Sequence, residues 1–282
     1  MLIGAHISAA GGVDKAPERA AKTGCEVFQF FSRSPQGGKA PELTPKIIKN
    51  FKSECKKYKI KETYIHAPYF INLASTNNRI RYGSISVLRQ EMERGSLLGC
   101  KYMMAHMGSA RDVGEKEAVK MVIDGIKKIL DGYKGSCKFL VEISAGTGMI
   151  IGDDFKEIAQ IIQGVKKPIG VCFDTCHAFA SGYDLRTRAA VKKTFKEFDK
   201  SIGIGKLKLI HANDSKTDLG SHRDRHEHIG KGKIGLEGFW QILHEPKLKN
   251  VNILIETPKE SEKSDVNNIK LLKKLRKQKS FK

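Results

Sequence analysis

The sequence predicts an α/β fold, a (β/α)8 TIM barrel formed as a single domain over residues 1–282. Three observations lead there. Eight short apolar runs of β type alternate with stretches of helical period, the connectors are short, and no GxGxxG follows the first run. Alternation of this kind builds a parallel sheet, the count of eight favours closure over an open sheet, and the missing glycine motif argues against a dinucleotide-binding fold.

The runs are LIGAH (2–6), EVFQFF (26–31), TYIH (63–66), YMMAH (102–106), KFLVE (138–142), IGVCFD (169–174), LKLIH (207–211) and NILIE (252–256). Helices are expected near 14–23, 44–58, 84–98, 115–131, 154–163, 188–202 and 236–244, with a basic helical end over 265–282. In the third helix Ile85, Leu88 and Met92 recur at helical spacing. In the last, Leu271, Leu272 and Leu275 supply the packing face. Side chains alternate along a strand, so Asp174 shares a face with Gly170 and Cys172, while Ile169, Val171 and Phe173 point to the helices. Glu256 likewise shares its face with Asn252 and Leu254.

The strand ends carry the chemistry. Seven of the eight runs stop at a residue able to bind a metal, namely His6, His66, His106, Glu142, Asp174, His211 and Glu256; the second stops at Phe31. In a barrel these ends converge on one mouth, where such enzymes place their active sites. Three carboxylates and four imidazoles buried together would be costly unless paired or metallated. Imidazole with carboxylate suits zinc and is compatible with manganese or iron. His177, three residues beyond Asp174, and Asp224 and His226 in SHRDRHEHIGKGKIG enlarge the set; His222 and His228 lie beside them. About nine ligands exceed the four or five of one ion, which implies two or three ions and points to hydrolysis at phosphorus.

Composition bounds the setting. Of 282 residues 40% are hydrophobic, enough for a sizeable core, and no apolar run reaches membrane-spanning length. The N-terminus lacks the basic and apolar regions of a signal peptide. Six cysteines without CxxC spacing fit reduced thiols in a cytoplasmic protein. The net charge of +20 fits either a lysine-rich solubilising surface or a polyanionic partner, and the metal cluster favours the second, a nucleic acid.

Several segments carry a family resemblance: GAHISAAGG (4–12), INLAS (71–75), DTCHAFASGYDLRT (174–187), HANDSK (211–216), DRHEHIGKGKIG (224–235) and LIETP (254–258). They resemble endonuclease IV, the zinc-dependent apurinic/apyrimidinic endonucleases of base excision repair, over nearly the whole chain. The resemblance implies three zinc ions in a TIM barrel. His66, His106 and Glu142 would hold the first, Glu142 would bridge to a second completed by Asp174, His211 and Glu256, and His177, Asp224 and His226 would hold the third. It sets His6 behind the ligands and leaves His222 and His228 in the loop. It further implies hydrolysis of the phosphodiester 5′ to an abasic site in double-stranded DNA, leaving 3′-hydroxyl and 5′-deoxyribose phosphate ends, with trimming of blocked 3′ ends, by a monomer. Glu142 and Glu256 would position the attacking hydroxide or take its proton, with the third zinc facing the departing oxygen.

Where the family has HPGS and ENTAG this chain reads HMGS after His106 and EISAG from Glu142. The loop after the second strand, SRSPQGGKA, offers Gln36 where the family often carries a DNA-probing arginine, with Arg33 or Lys39 as substitutes. Tyr69 and Phe70 stand where the family inserts a wedge into DNA, and Ser8 and Arg225 are placed among the DNA contacts. The competing reading is a metal-dependent sugar isomerase or epimerase of the xylose-isomerase-like barrels, for which Glu142, Asp174, His211 and Glu256 alone would suffice.

Overall fold

The computed structural model describes residues 1–261 and 263–281. Eight parallel strands close into a barrel: β1 (Ile3–His6), β2 (Val27–Phe30), β3 (Thr63–His66), β4 (Tyr102–Ala105), β5 (Lys138–Glu142), β6 (Gly170–Asp174), β7 (Leu207–His211) and β10 (Asn252–Ile255). Each pairs with its sequence neighbours, and β1 closes the ring against β10 through Ile3–Ile253, Gly4–Leu254 and Ala5–Ile255. Helices α1 (Ala16–Thr23), α2 (Pro45–Lys57), α3 (Asn78–Leu98), α4 (Glu115–Leu130), α5 (Phe155–Val165), α6 (Thr175–Ala180), α7 (Arg188–Ser201), α8 (Gly235–His244) and α9 (Ser264–Lys277) form the outer layer. Among the described residues no helix is long and apolar enough to cross a membrane.

Strand alternation sorts the apolar residues into two cores. Ile3, Ala5, Phe28, Val171, Phe173, Ile253 and Ile255 face the helices. Val27, Tyr64, Met104, Leu140, Cys172, Leu209 and Leu254 fill the barrel interior as one layer, one residue from each strand except β1. The β1 member is Gly4, where a side chain would run into the Val27 carbonyl. Cys172 is therefore barrel filling, and burial pushes its thiol well above the ordinary range.

Three elements differ from expectation. Helix α3 begins at Asn78, six residues before the expected start, because Asn77 caps it by accepting from the Arg79 and Ile80 amides. Its first turns are largely exposed and lack the apolar spacing that would reveal them. After β6 a short helix, α6, starts at once, with Asp174 Oδ1 accepting the His177 amide at 2.9 Å. The long connection after β7 folds into an antiparallel ribbon, β8 (Asp214–Ser215) with β9 (His226–Glu227). Asp214, fully buried, anchors it by accepting from the amides of Ser215, Gly230, Gly232 and Ile234 at 2.8–3.0 Å.

The loop after β2 is clipped to α3. Arg33, expected among the DNA contacts, is instead buried: its Nε meets Glu91 at 2.7 Å and a terminal nitrogen meets Gln90 at 2.9 Å. Glu91, also fully buried, accepts from Ser32 Oγ at 2.6 Å, and Arg94 donates to the Ser32 hydroxyl and to the Ser32 and Pro41 carbonyls. Removing one partner of a buried pair leaves an uncompensated charge at a cost of about 3–5 kcal/mol. Glu91→Ala is therefore expected to lower the urea midpoint clearly, and a wild-type midpoint would contradict this account of the clip.

Candidate metal centre

Two residues above the apolar layer, toward the C-terminal ends of the strands, every strand presents a polar side chain. Counting by twos from Gly4, Val27, Tyr64, Met104, Leu140, Cys172, Leu209 and Leu254 gives His6, Gln29, His66, His106, Glu142, Asp174, His211 and Glu256. The ring is thus complete. The second strand, read from sequence as ending without a polar group at Phe31, contributes Gln29, because β2 stops at Phe30 and its inward residue lies two positions earlier than the apolar end suggests. Gln29 was not among the expected site residues; an amide inside an otherwise apolar VFQFF run was the available signal.

Around this ring the expected ligand residues fall into three groups. His66, His106 and Glu142 form one; Glu142, Asp174, His211 and Glu256 form a second; Asp174, His177 and His226 form a third, with Asp224 against its two imidazoles. Asp174 faces both the second and third groups: its Oδ2 lies 3.9 Å from His211 Nδ1 and 3.7 Å from His226 Nε2. Asn213 steadies that oxygen with a 2.6 Å hydrogen bond.

The ring nitrogens are oriented from behind. His66 Nδ1 donates to the Ala67 carbonyl at 2.7 Å, His177 Nδ1 to the Ile143 carbonyl at 3.0 Å, and His226 Nδ1 to the Glu256 carbonyl at 3.0 Å. Ser144, in the divergent EISAG segment, gives its proton to the Ile151 carbonyl and stands 3.5 Å from His106 Nδ1. Each Nε2 is thereby turned inward. His66 Nε2 lies 3.2 Å and His106 Nε2 3.7 Å from Glu142 Oε2, a fully buried oxygen with no hydrogen-bond donor. His177 Nε2 and His226 Nε2 each lie 3.2 Å from an Asp224 oxygen and 3.4 Å from one another.

This donor set fits zinc. A tetrahedral ion with bonds of about 2.0–2.1 Å requires donor atoms roughly 3.3 Å apart, close to the 3.2 Å between His66 and Glu142 and the 3.2–3.4 Å among His177, Asp224 and His226. Imidazoles whose second nitrogen is tied to a main-chain carbonyl are the usual orientation of zinc-binding histidines. Burial disfavours the charged His66 ring, but Glu142 and Glu256 outweigh it and push its pKa up to about 9. His226 is likewise held at about 9, against burial, by Asp174 and Asp224. Burial also works against the Glu142 carboxylate, yet His211, His106 and His66 hold it well below the usual range.

The groups open into a cleft of about 270 Å³ lined by His66, Tyr69, His106, His177, Asp224, His226 and Glu256. Tyr69, 67% exposed, lines the cleft with its ring 5.2 Å from that of Phe31, and the neighbouring Phe70 is 40% exposed. A groove of about 810 Å³ between the loops after β1 and β2 is lined by His6, Phe31 and Lys259 among others. Ser8, Gln36, Lys39 and Arg225 are exposed. His222 faces Asp153 at 3.9 Å, and His228 is tied to Asn268 at 2.9 Å; neither belongs to the three groups. His6 Nδ1 is 3.2 Å from Glu256 Oε1, behind the second group.

Residues 17–277 match the family described as xylose isomerase-like TIM barrels. A protein of Nitrosopumilus maritimus named "Probable endonuclease 4" is 42% identical over 97% of this chain and 99% of its own. The crystal structure of endonuclease IV from Thermus thermophilus superposes with a TM-score of 0.88 at 32% identity, covering 98% of both chains. A D-tagatose 3-epimerase-like protein shares the fold, with a TM-score of 0.72 at 21% identity over 98% of this chain and 97% of its own. With identity above 40% sustained along nearly its full length, the chain belongs to the endonuclease IV family.

Proposed function

We propose that this protein is a zinc-dependent endonuclease that hydrolyses the phosphodiester 5′ to abasic sites in duplex DNA, leaving 3′-hydroxyl and 5′-deoxyribose phosphate ends, and that it also trims blocked 3′ ends. The observation that carries the reading is the third group. His177, Asp224 and His226 add to Glu142, Asp174, His211 and Glu256 a set of donors for which a sugar isomerase or epimerase has no need.

In this reading His66, His106 and Glu142 would hold one ion, Glu142, Asp174, His211 and Glu256 a second, and His177, Asp224 and His226 a third. Bound there, zinc supplies Lewis acidity and activates water as a nucleophile near neutral pH. Glu142 and Glu256 remain carboxylates at that pH, since His211 and the neighbouring histidines outweigh burial at both. They can therefore orient the attacking water and accept its proton. Asp224, with half its side chain exposed, stands on the solvent side, where the departing 3′-oxygen would leave.

Tyr69 and Phe70 are free to enter the duplex as a wedge, at an unstacking cost of a few kcal/mol that is offset by contacts to the bent DNA. Gln36 and Lys39, rather than Arg33, are the exposed residues of the β2–α2 loop available to probe the groove, since Arg33 is held by Glu91. A double Tyr69→Ala, Phe70→Ala variant is expected to weaken binding to an abasic duplex by about 1–3 kcal/mol per lost base stack while leaving zinc content unchanged. Equal affinity for the abasic duplex would sink the wedge assignment.

The direct test is incision of a duplex carrying one synthetic abasic site, before and after metal is stripped with a chelator. Incision that disappears on stripping and returns with zinc is expected. Absent incision in both states, with aldose–ketose interconversion in its place, would transfer the protein to the isomerase reading.

A further inference from the structure

We propose that Gln29 is a positioning residue of the metal centre, setting which atoms of His211 and Glu256 face the ion between them. The proposal rests on the zinc reading above. Gln29 is the only member of the inward ring that is neither carboxylate nor imidazole, and it is fully buried on β2.

Its two amide atoms reach two ligands of the same group. Nε2 lies 2.6 Å from Glu256 Oε1 and 3.1 Å from His6 Nδ1, and Oε1 lies 2.7 Å from His211 Nε2. The orientation is forced. A carboxylate only accepts hydrogen bonds, so the amide nitrogen must face Glu256, which leaves the amide oxygen for His211. That oxygen in turn requires His211 to carry its proton on Nε2. Nδ1 of the ring is thereby presented to Glu142 Oε1 at 2.7 Å and Glu256 Oε2 at 3.3 Å. On Glu256, Oε1 is engaged by Gln29 and His6, so Oε2 is the oxygen free to face the ion.

One amide thus selects the tautomer of one ligand and the donor atom of another. The residue type follows from the geometry. A carboxylate in its place would set two anionic oxygens against each other at the Glu256 contact, and an apolar side chain would satisfy neither partner. Groups that orient metal ligands from behind typically contribute 10–100-fold in affinity or activity.

The test compares wild type with Gln29→Met, which keeps unbranched bulk without the amide, and Gln29→Glu, which keeps the acceptor for His211 but loses the donor to Glu256. Three readouts are taken on each protein: zinc affinity by competition with a chromophoric chelator, the visible spectrum of the cobalt(II)-loaded protein, and kcat and KM on an abasic duplex. Gln29→Met is expected to weaken one zinc of the set by roughly 10–100-fold, to alter the cobalt spectrum, and to lower kcat by a similar factor with KM nearly unchanged. Should Gln29→Met fail to fold, Gln29→Glu is read against the same expectations. Variants with wild-type zinc affinity, cobalt spectrum and kcat overturn the inference while leaving the zinc reading intact. A wild-type protein that binds no zinc overturns both.

Discussion

Replacing His177 with alanine is expected to lower kcat on an abasic duplex on the order of 10²–10³-fold, the usual effect of deleting one group that stabilises developing charge. The fold should survive. The substitution deletes one hydrogen bond, from Nδ1 to the Ile143 carbonyl, worth about 0.5–1.5 kcal/mol. It also removes one of the two imidazoles set against Asp224, so a metal count one ion below wild type is expected beside an unchanged circular dichroism spectrum. KM should move little, because Tyr69 and Phe70 at the lip are untouched. Near-wild-type incision by this variant would remove His177 from the site.

Stripping zinc is expected to cost stability as well as activity. Each ion bound only by the folded state contributes about 4 kcal/mol at a thousandfold excess over its Kd. The loss should depend on pH in a definite direction. In the stripped protein protons on His66 and His226 answer the carboxylates, with both pKa values raised to about 9. A raised folded-state value gives stability that is fully present below the ordinary imidazole range near pH ~6.5 and lost as pH rises through about 9. Stripped protein should therefore melt lower at pH 9.5 than at pH 6.5. Zinc needs no such protons, so its stabilising effect should be larger at the alkaline end. Thermal melts of stripped and loaded protein at the two pH values check this; equal shifts at both would contradict the proton-for-metal exchange.

Most of the centre was legible because its residues lie on strands, where alternation alone decides which side chains share a face. Asp174 with Cys172, and Glu256 with Leu254, follow from that rule without tertiary information. Gln29 left no such mark, because an amide is not a usual zinc ligand and its contacts to Glu256 and His211 reach across 227 and 182 positions. Arg33 escaped for a different reason. Its partner Glu91 lies 58 positions away on helix α3, and no local pattern connects them. The same limit applies to the backs of the imidazoles. The carbonyls of Ile143 and Glu256 that orient His177 and His226 lie just past the ends of distant strands, and a carbonyl leaves no mark in a sequence. The early start of α3 was hidden by exposed first turns, where a cap rather than an apolar stripe sets the boundary.

Glu256 offers its carboxylate to the second group and its main-chain carbonyl to His226 in the third, while Ile143, next to Glu142, holds His177. The three groups therefore share a skeleton, since residues 142–143 and residue 256 each reach two of them. Loading of one group should then alter the affinity of the next, with ordering of the shared backbone favouring the second ion and repulsion between neighbouring cations opposing it.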